Sequence, residues 1–142
     1  MSFANPADHE IRAMLANPTT VAVVGCSDNP ARDSLRIAQL LKHKGFHVIP
    51  VNPQLGPEAL RAELGERCYP DLASIPGPVT MVDVFRRSEF LPEIAEAAIK
   101  KGAKILWGQL GVVHPGAAAR ARAAGLTVVM DRCPAIEYRR LF

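Results

Sequence analysis

Several signatures are missing from this sequence, and each absence narrows the reading. There is no Gly-x-Gly-x-x-Gly fingerprint and no Gly-Lys-Ser/Thr loop, so neither of the two familiar nucleotide motifs is present. Cysteine is scarce: Cys26, Cys68 and Cys133 form no CxxC and have no histidine at ligand spacing, which disfavours both a disulfide framework and a zinc site. Reduced thiols suit a reducing compartment, so a cytoplasmic protein is expected. No apolar run approaches the roughly 20 residues needed to cross a bilayer, and the first residues lack the charged-then-apolar order of a signal peptide, so no membrane association is expected. Aromatics make up only 6% of the chain and the net charge of +3 is scattered, a pattern that does not indicate nucleic acid as a partner. No Ser-His-Asp set and no adjacent nucleophile and base can be read, so catalytic residues and metal ligands are both expected to be none.

What is present is organised around residues 20–41. Thr20-Val21-Ala22-Val23-Val24 is a β-branched run that stops at Gly25, crosses Cys26-Ser27-Asp28-Asn29-Pro30 and enters a helical apolar period after Ser34. A strand, a glycine and a helix N-terminus in this order form the opening unit of a nucleotide-binding α/β domain. Gly25 allows close backbone approach, and the helix beginning near Ser34 favours an anion through its free N–H groups and dipole. With 142 residues, 49% of them hydrophobic, the chain suits one domain spanning 1–142.

The remaining elements alternate. Residues 7–16 place Ile11, Met14 and Leu15 on one face of a short helix ended by Asn17-Pro18. The helix after Ser34 buries Leu35, Ile37, Ala38 and Leu41, and a second, parallel strand follows at residues 46–53. Residues 54–70 read as a surface excursion with a helical stretch at 58–64, and Asp71 caps a turn before a third strand at 79–85. Ser88 is expected to cap the next helix, with Pro92 in its first turn. Strand four lies at 104–107, a small-residue helix at 116–124 and strand five at 126–130. This alternation predicts an α/β, doubly wound, Rossmann-like sheet of about five parallel strands with helices on both faces.

In such a sheet a ligand binds beyond the carboxyl ends of the strands. Those ends carry Gly25, Cys26 and Ser27, then Asn52 and Pro53, then Phe85 and Arg86, then Trp107 and Gln109, with Arg32 and Ser34 at the helix start. At Asn52, where a NAD-binding unit would place a ribose-holding acid, there is an amide, which tolerates a phosphate on the ribose. Several residues admit a second reading. Cys26 is either a small inert residue or a thiolate favoured by the helix dipole. Trp107 is either a wall of the site or core packing. Asp83 and Asp131 either pair with Arg87 or Arg132 or contact ligand, and Arg86 either meets phosphate or pairs with Asp83 or Glu89.

The loop at Val24 to Pro30, together with Val51-Asn52-Pro53, Tyr69-Pro70-Asp71-Leu72, Val82-Asp83-Val84-Phe85-Arg86-Arg87, Trp107-Gly108-Gln109-Leu110-Gly111 and Val129-Met130-Asp131-Arg132-Cys133, resembles the CoA-binding domain family. These are small Rossmann-like proteins similar to the amino-terminal domain of the succinyl-CoA synthetase alpha subunit. The resemblance implies coenzyme A, or an acyl-CoA, with its phosphates over the loop at Ser27, its adenosine past Asn52-Pro53, and Phe85-Arg86 with Trp107-Gln109 forming the remaining wall. Two departures stand out: Gln54-Leu55 occupies the place where synthetase domains often carry Lys, and His114-Pro115 follows the Gln-Leu-Gly turn. The synthetase active-site His belongs to a second domain, so ligase activity does not carry over. The expectation is a CoA-binding module without catalytic residues of its own, with room for a protein partner or a homodimer; the alternatives are a partner-dependent acyl-CoA ligase subunit, a NAD-type enzyme, and a redox-linked protein in which Cys26 exchanges with the CoA thiol.

Overall fold

The valine-rich run at the head of the chain becomes a central strand because every side chain on it after Thr20 is buried on one sheet face or the other. The computed structural model describes residues 3–142. Strands β1 (Thr20–Val24), β2 (His47–Val51), β3 (Met81–Val84), β4 (Ile105–Gly108) and β5 (Thr127–Val129) form one parallel sheet in the order β2-β1-β3-β4-β5. The order reverses between β1 and β3, because the chain leaves β1 for β2 and then returns to β1's other side. A crevice therefore opens between the carboxyl ends of those two strands.

Helices α1 (Asp8–Ala16), α2 (Asp33–His43), α3 (Arg61–Leu64), α4 (Leu91–Lys101), α5 (Pro115–Ala123) and α6 (Pro134–Leu141) cover the two faces. On one face Ile11 and Leu15 of α1 and Leu35, Ala38 and Leu41 of α2 pack with Val21, Val23, Met81 and Trp107, joined by Tyr138 of α6. On the other, Leu91, Ile94, Ala95 and Ala98 of α4 and Ala117, Ala118 and Ala121 of α5 pack on Ala22, Val82, Leu106 and Val128. Strand alternation divides the two cores: odd positions of β1 and β3 face one way and even positions the other. The small residues of α5 lie directly against α4, which is why that helix has almost no large apolar side chain.

The predicted architecture is present, with local differences. Strand β3 begins at Met81 and not at Val79, since Thr80 already turns its carbonyl to the N–H groups of Lys104 and Ile105. The excursion's helix is shortened to Arg61–Leu64. Ser88 caps no helix: it opens a 3₁₀ turn, Ser88–Phe90, and its hydroxyl instead donates to Gly111 O and accepts from Val113 N, pinning the loop after β4. Asp71 does cap its turn, accepting from Ser74 N and Oγ. Helix α6 is an addition, started by Pro134 at a position where a missing N–H costs nothing. The outer edge of β5 meets no further strand among the described residues; there the Asn5 side-chain amide donates to Met130 O at 2.9 Å and accepts from Met130 N at 2.8 Å.

Candidate functional site

Gly25 begins the site because β1 must turn sharply where β3 passes close by. Its φ of +86° lies in the left-handed region, and a Cβ there would meet Phe85 O and Arg86 Cδ at 3.1 Å. Both the turn and the approach require glycine. Beyond it the loop is held by short side chains acting on its own backbone. Ser34 Oγ accepts from Ser27 N at 2.9 Å, Ser27 Oγ from Asn29 N at 3.0 Å, and Asn29 Oδ1 from Ala31 N at 2.9 Å. Asn52, at the end of β2, ties in the neighbouring loop: its Nδ2 donates to Cys26 O at 3.0 Å, and its Oδ1 accepts from Gln54 N at 2.9 Å.

This bracing surrounds an open cleft of about 620 Å³ at the carboxyl ends of β1, β2 and β3. Gly25, Ser27, Arg32 and Ser34 line one side, Asn52, Pro53 and Gln54 the second, and Phe85 and Arg86 the third. No side chain caps α2, whose N-terminus faces the cleft through Asp33 and Ser34. The Asp33 carboxylate is engaged by Arg36, so the one acid on the cleft wall is compensated by its own helix. Among the described residues no carboxylate lies within ion-pair distance of Arg32 or Arg86. Arg86 is instead held by its ring neighbour, with its guanidinium carbon 4.4 Å from the Phe90 centroid.

A second, more apolar pocket of about 250 Å³ adjoins the first on the α4 side of the sheet. Val24, Val51, Leu72 and Ile94 supply its floor, with Asp71 and Glu93 at its margin. Pro53 and Arg86 belong to both spaces. Sequence reasoning missed this pocket, although Pro70-Asp71-Leu72 signalled it: a turn there folds back across the end of β2, where Asn52 N donates to Tyr69 O.

Three expected site residues are placed elsewhere. Cys26 is fully buried, and burial, with Cys68 and Asp83 nearby, pushes its thiol up to about 12, so it is no thiolate at neutral pH. Trp107 is fully buried beneath β4, and its indole N–H is used on Arg132 O at 2.9 Å; it is core, not wall. Gln109 is buried beyond β4, and its Oε1 has no hydrogen-bond partner. The remaining eight, Gly25, Ser27, Arg32, Ser34, Asn52, Pro53, Phe85 and Arg86, all border the cleft.

The ion pairs considered from sequence are also absent among the described residues. Asp83 is fully buried with neither carboxylate oxygen hydrogen-bonded, while Arg87 pairs with Glu89 on the surface. Asp131, at φ +58°, accepts from Gly111 N, and Arg132 lies near Glu137. Asp131 therefore holds the loop after β4 through Gly111 N, whereas the Asp83 carboxylate makes no polar contact, and neither is paired with its neighbouring arginine.

A parallel sheet reversing at β1 and β3, with a braced polar cleft at that point, defines an α/β domain of the Rossmann-like class. The comparisons make the class specific. A family model described as CoA binding domain matches residues 19–139, and the chain belongs to that family. It is 40% identical over 129 residues to the uncharacterized protein YneT of Bacillus subtilis, a match covering 91% of this chain and 92% of that one. A hypothetical protein from Pyrococcus horikoshii OT3 has the same fold with a TM-score of 0.87 at 36% identity, covering 99% of each chain. The ADP-forming acetate–CoA ligase II of Archaeoglobus fulgidus is 32% identical over 89 residues, which are 61% of this chain but only 12% of the ligase.

Proposed function

We propose that the cleft binds coenzyme A or an acyl-CoA, with the pyrophosphate over the Gly25 loop. The observation that carries this reading is the cleft's unbalanced charge: two guanidiniums without carboxylate partners among the described residues and an uncapped helix N-terminus face one space, and that space adjoins an apolar pocket. Ser27 Oγ already accepts from Asn29 N, so its own proton is free to be donated to a phosphate oxygen. Arg32 and the first turn of α2 add charge and N–H groups from the same side. The apolar pocket suits the flat face of a base, and Asp71 and Glu93 at its margin suit an exocyclic amine. On this reading the chain is a binding module whose chemistry comes from elsewhere, which fits a cleft where, among the described residues, no nucleophile stands beside a base. Its three free cysteines fit the reducing cytoplasm, and no helix among the described residues is long and apolar enough to cross a membrane.

Equilibrium titration with CoA, dephospho-CoA, NAD and ATP tests the reading. CoA is expected to bind best. Millimolar CoA binding beside tighter NAD binding overturns it and favours a NAD-type site. Similarity to part of an ADP-forming ligase favours a second reading, in which a partner chain completes acyl-CoA formation. Co-purification of a stable partner that yields acyl-CoA in the mixed system supports that reading, and its absence leaves the stand-alone module.

A further inference from the structure

We infer that Arg86 is the residue by which this site distinguishes a nucleotide carrying a phosphate on its ribose from one that lacks it, an inference that rests on the CoA reading above. The argument is one of order. A nucleotide runs from phosphate through ribose to base, and the two adjoining spaces impose the same order: a polar cleft with cations and helix N–H groups, then an apolar pocket edged by two acids. A phosphate cannot settle in the second space, where Asp71 and Glu93 would repel it, so the pyrophosphate takes the first and the base the second. The ribose then lies at the border. Pro53 and Arg86 are the residues shared by both linings, and of these only Arg86 carries charge.

The chemistry at the border supports the assignment. Asn52, which stands where an acid would hold ribose hydroxyls, has its amide committed to Cys26 O and Gln54 N and presents no negative charge. Arg86 has no carboxylate within ion-pair distance among the described residues; its stem runs close past Gly25, and its head stacks on an aromatic ring. Its Cδ lies 3.1 Å from where a Gly25 Cβ would be, and its guanidinium stands over Phe90. Such a guanidinium is pre-placed and free to take two oxygens of a phosphate monoester. The pyrophosphate, by contrast, is served across the cleft by Ser27, Arg32 and α2.

The experiment compares CoA with dephospho-CoA, which differ only in the ribose phosphate, on the wild type, Arg86→Ala and Arg86→Lys, with thermal unfolding confirming each fold. Wild type is expected to prefer CoA by about tenfold or more, as loss of a charge-assisted contact implies. Arg86→Ala should bring the two affinities within about twofold, weakening CoA far more than dephospho-CoA, and Arg86→Lys should keep part of the preference. Equal weakening of both ligands by Arg86→Ala, or an unchanged ratio, overturns the inference; if the alanine variant does not fold, a lysine variant with the full wild-type ratio does so. Wild type that binds neither ligand overturns the CoA reading itself, whereas wild type that binds both equally overturns only the role of Arg86.

Discussion

The backbone N–H of Ser27 donates to the buried hydroxyl of Ser34 at 2.9 Å, so the first turn of α2 holds the cleft loop in place from within. Ser34 is thereby a brace, and Ser27 keeps its own hydroxyl for the cleft.

Replacing Ser34 with Ala leaves that N–H without its acceptor. Loss of one such bond is expected to cost about 1 kcal/mol of stability, with weaker CoA binding because the loop is no longer pre-formed. Urea unfolding and CoA titration on the same variant measure the two effects. Unchanged stability and affinity together would show that the loop holds its shape without Ser34.

Ser27→Ala separates binding from bracing. The hydroxyl also receives Asn29 N at 3.0 Å, but that turn is exposed and water can replace the acceptor. The charge-assisted bond to phosphate proposed for this hydroxyl would have no such substitute, so CoA affinity should fall by about 1.5–3 kcal/mol, roughly tenfold or more, at nearly constant stability. Calorimetric titration reads it directly, and a wild-type affinity would move the phosphate away from Ser27.

Thiol reactivity should follow burial. Cys26 and Cys68 are buried and both thiols are pushed up, chiefly by desolvation, whereas Cys133 is partly exposed. Alkylation of the folded protein at about pH 8 is expected to mark Cys133 first, with the other two reacting only on unfolding. Peptide mass mapping decides, and early label on Cys26 would restore the thiolate reading.

Asp83 makes stability fall as pH rises. Burial holds its carboxyl well above the usual range, so the native state keeps a proton that the unfolded chain releases near 3.8. Because the native state binds more protons above that value, the contribution is full below about pH 3.8 and is lost as pH climbs toward the raised native value. Asp83→Asn keeps the shape without the titration. Urea unfolding at about pH 4 and about pH 8 should show the variant losing less stability between the two than wild type does; equal losses would mean that Asp83 is already ionised in the fold.

The order of strands and helices was legible because burial imposes a period on side chains, and the runs at residues 20–24 and 91–99 show it plainly. That Gly25, Ser27 and Arg86 border one cleft was legible because strand ends converge wherever parallel strands are joined by helices. Trp107 and Cys26 kept two readings and Gln109 was placed on the rim for one shared reason: a strand end has two faces and an interior, and sequence position does not say which of these a side chain enters. The apolar pocket was hidden because its lining comes from β1, β2, the turn at Pro70 and α4, segments that meet only once the sheet has formed.

Asn5 finishes the sheet. An exposed strand edge is a row of donors and acceptors on which a strand from another molecule can add, and natural sheets carry devices that prevent this. Here one side-chain amide, taken from 125 positions earlier in the chain, occupies both the donor and the acceptor of Met130 just beyond β5. Arg122 extends the seal by donating to Ala4 O and resting on the Phe3 ring, 4.3 Å from its centroid. An incoming strand would have to displace an amide that already satisfies both groups, so colloidal behaviour at high concentration depends on a segment that takes no part in lining the cleft.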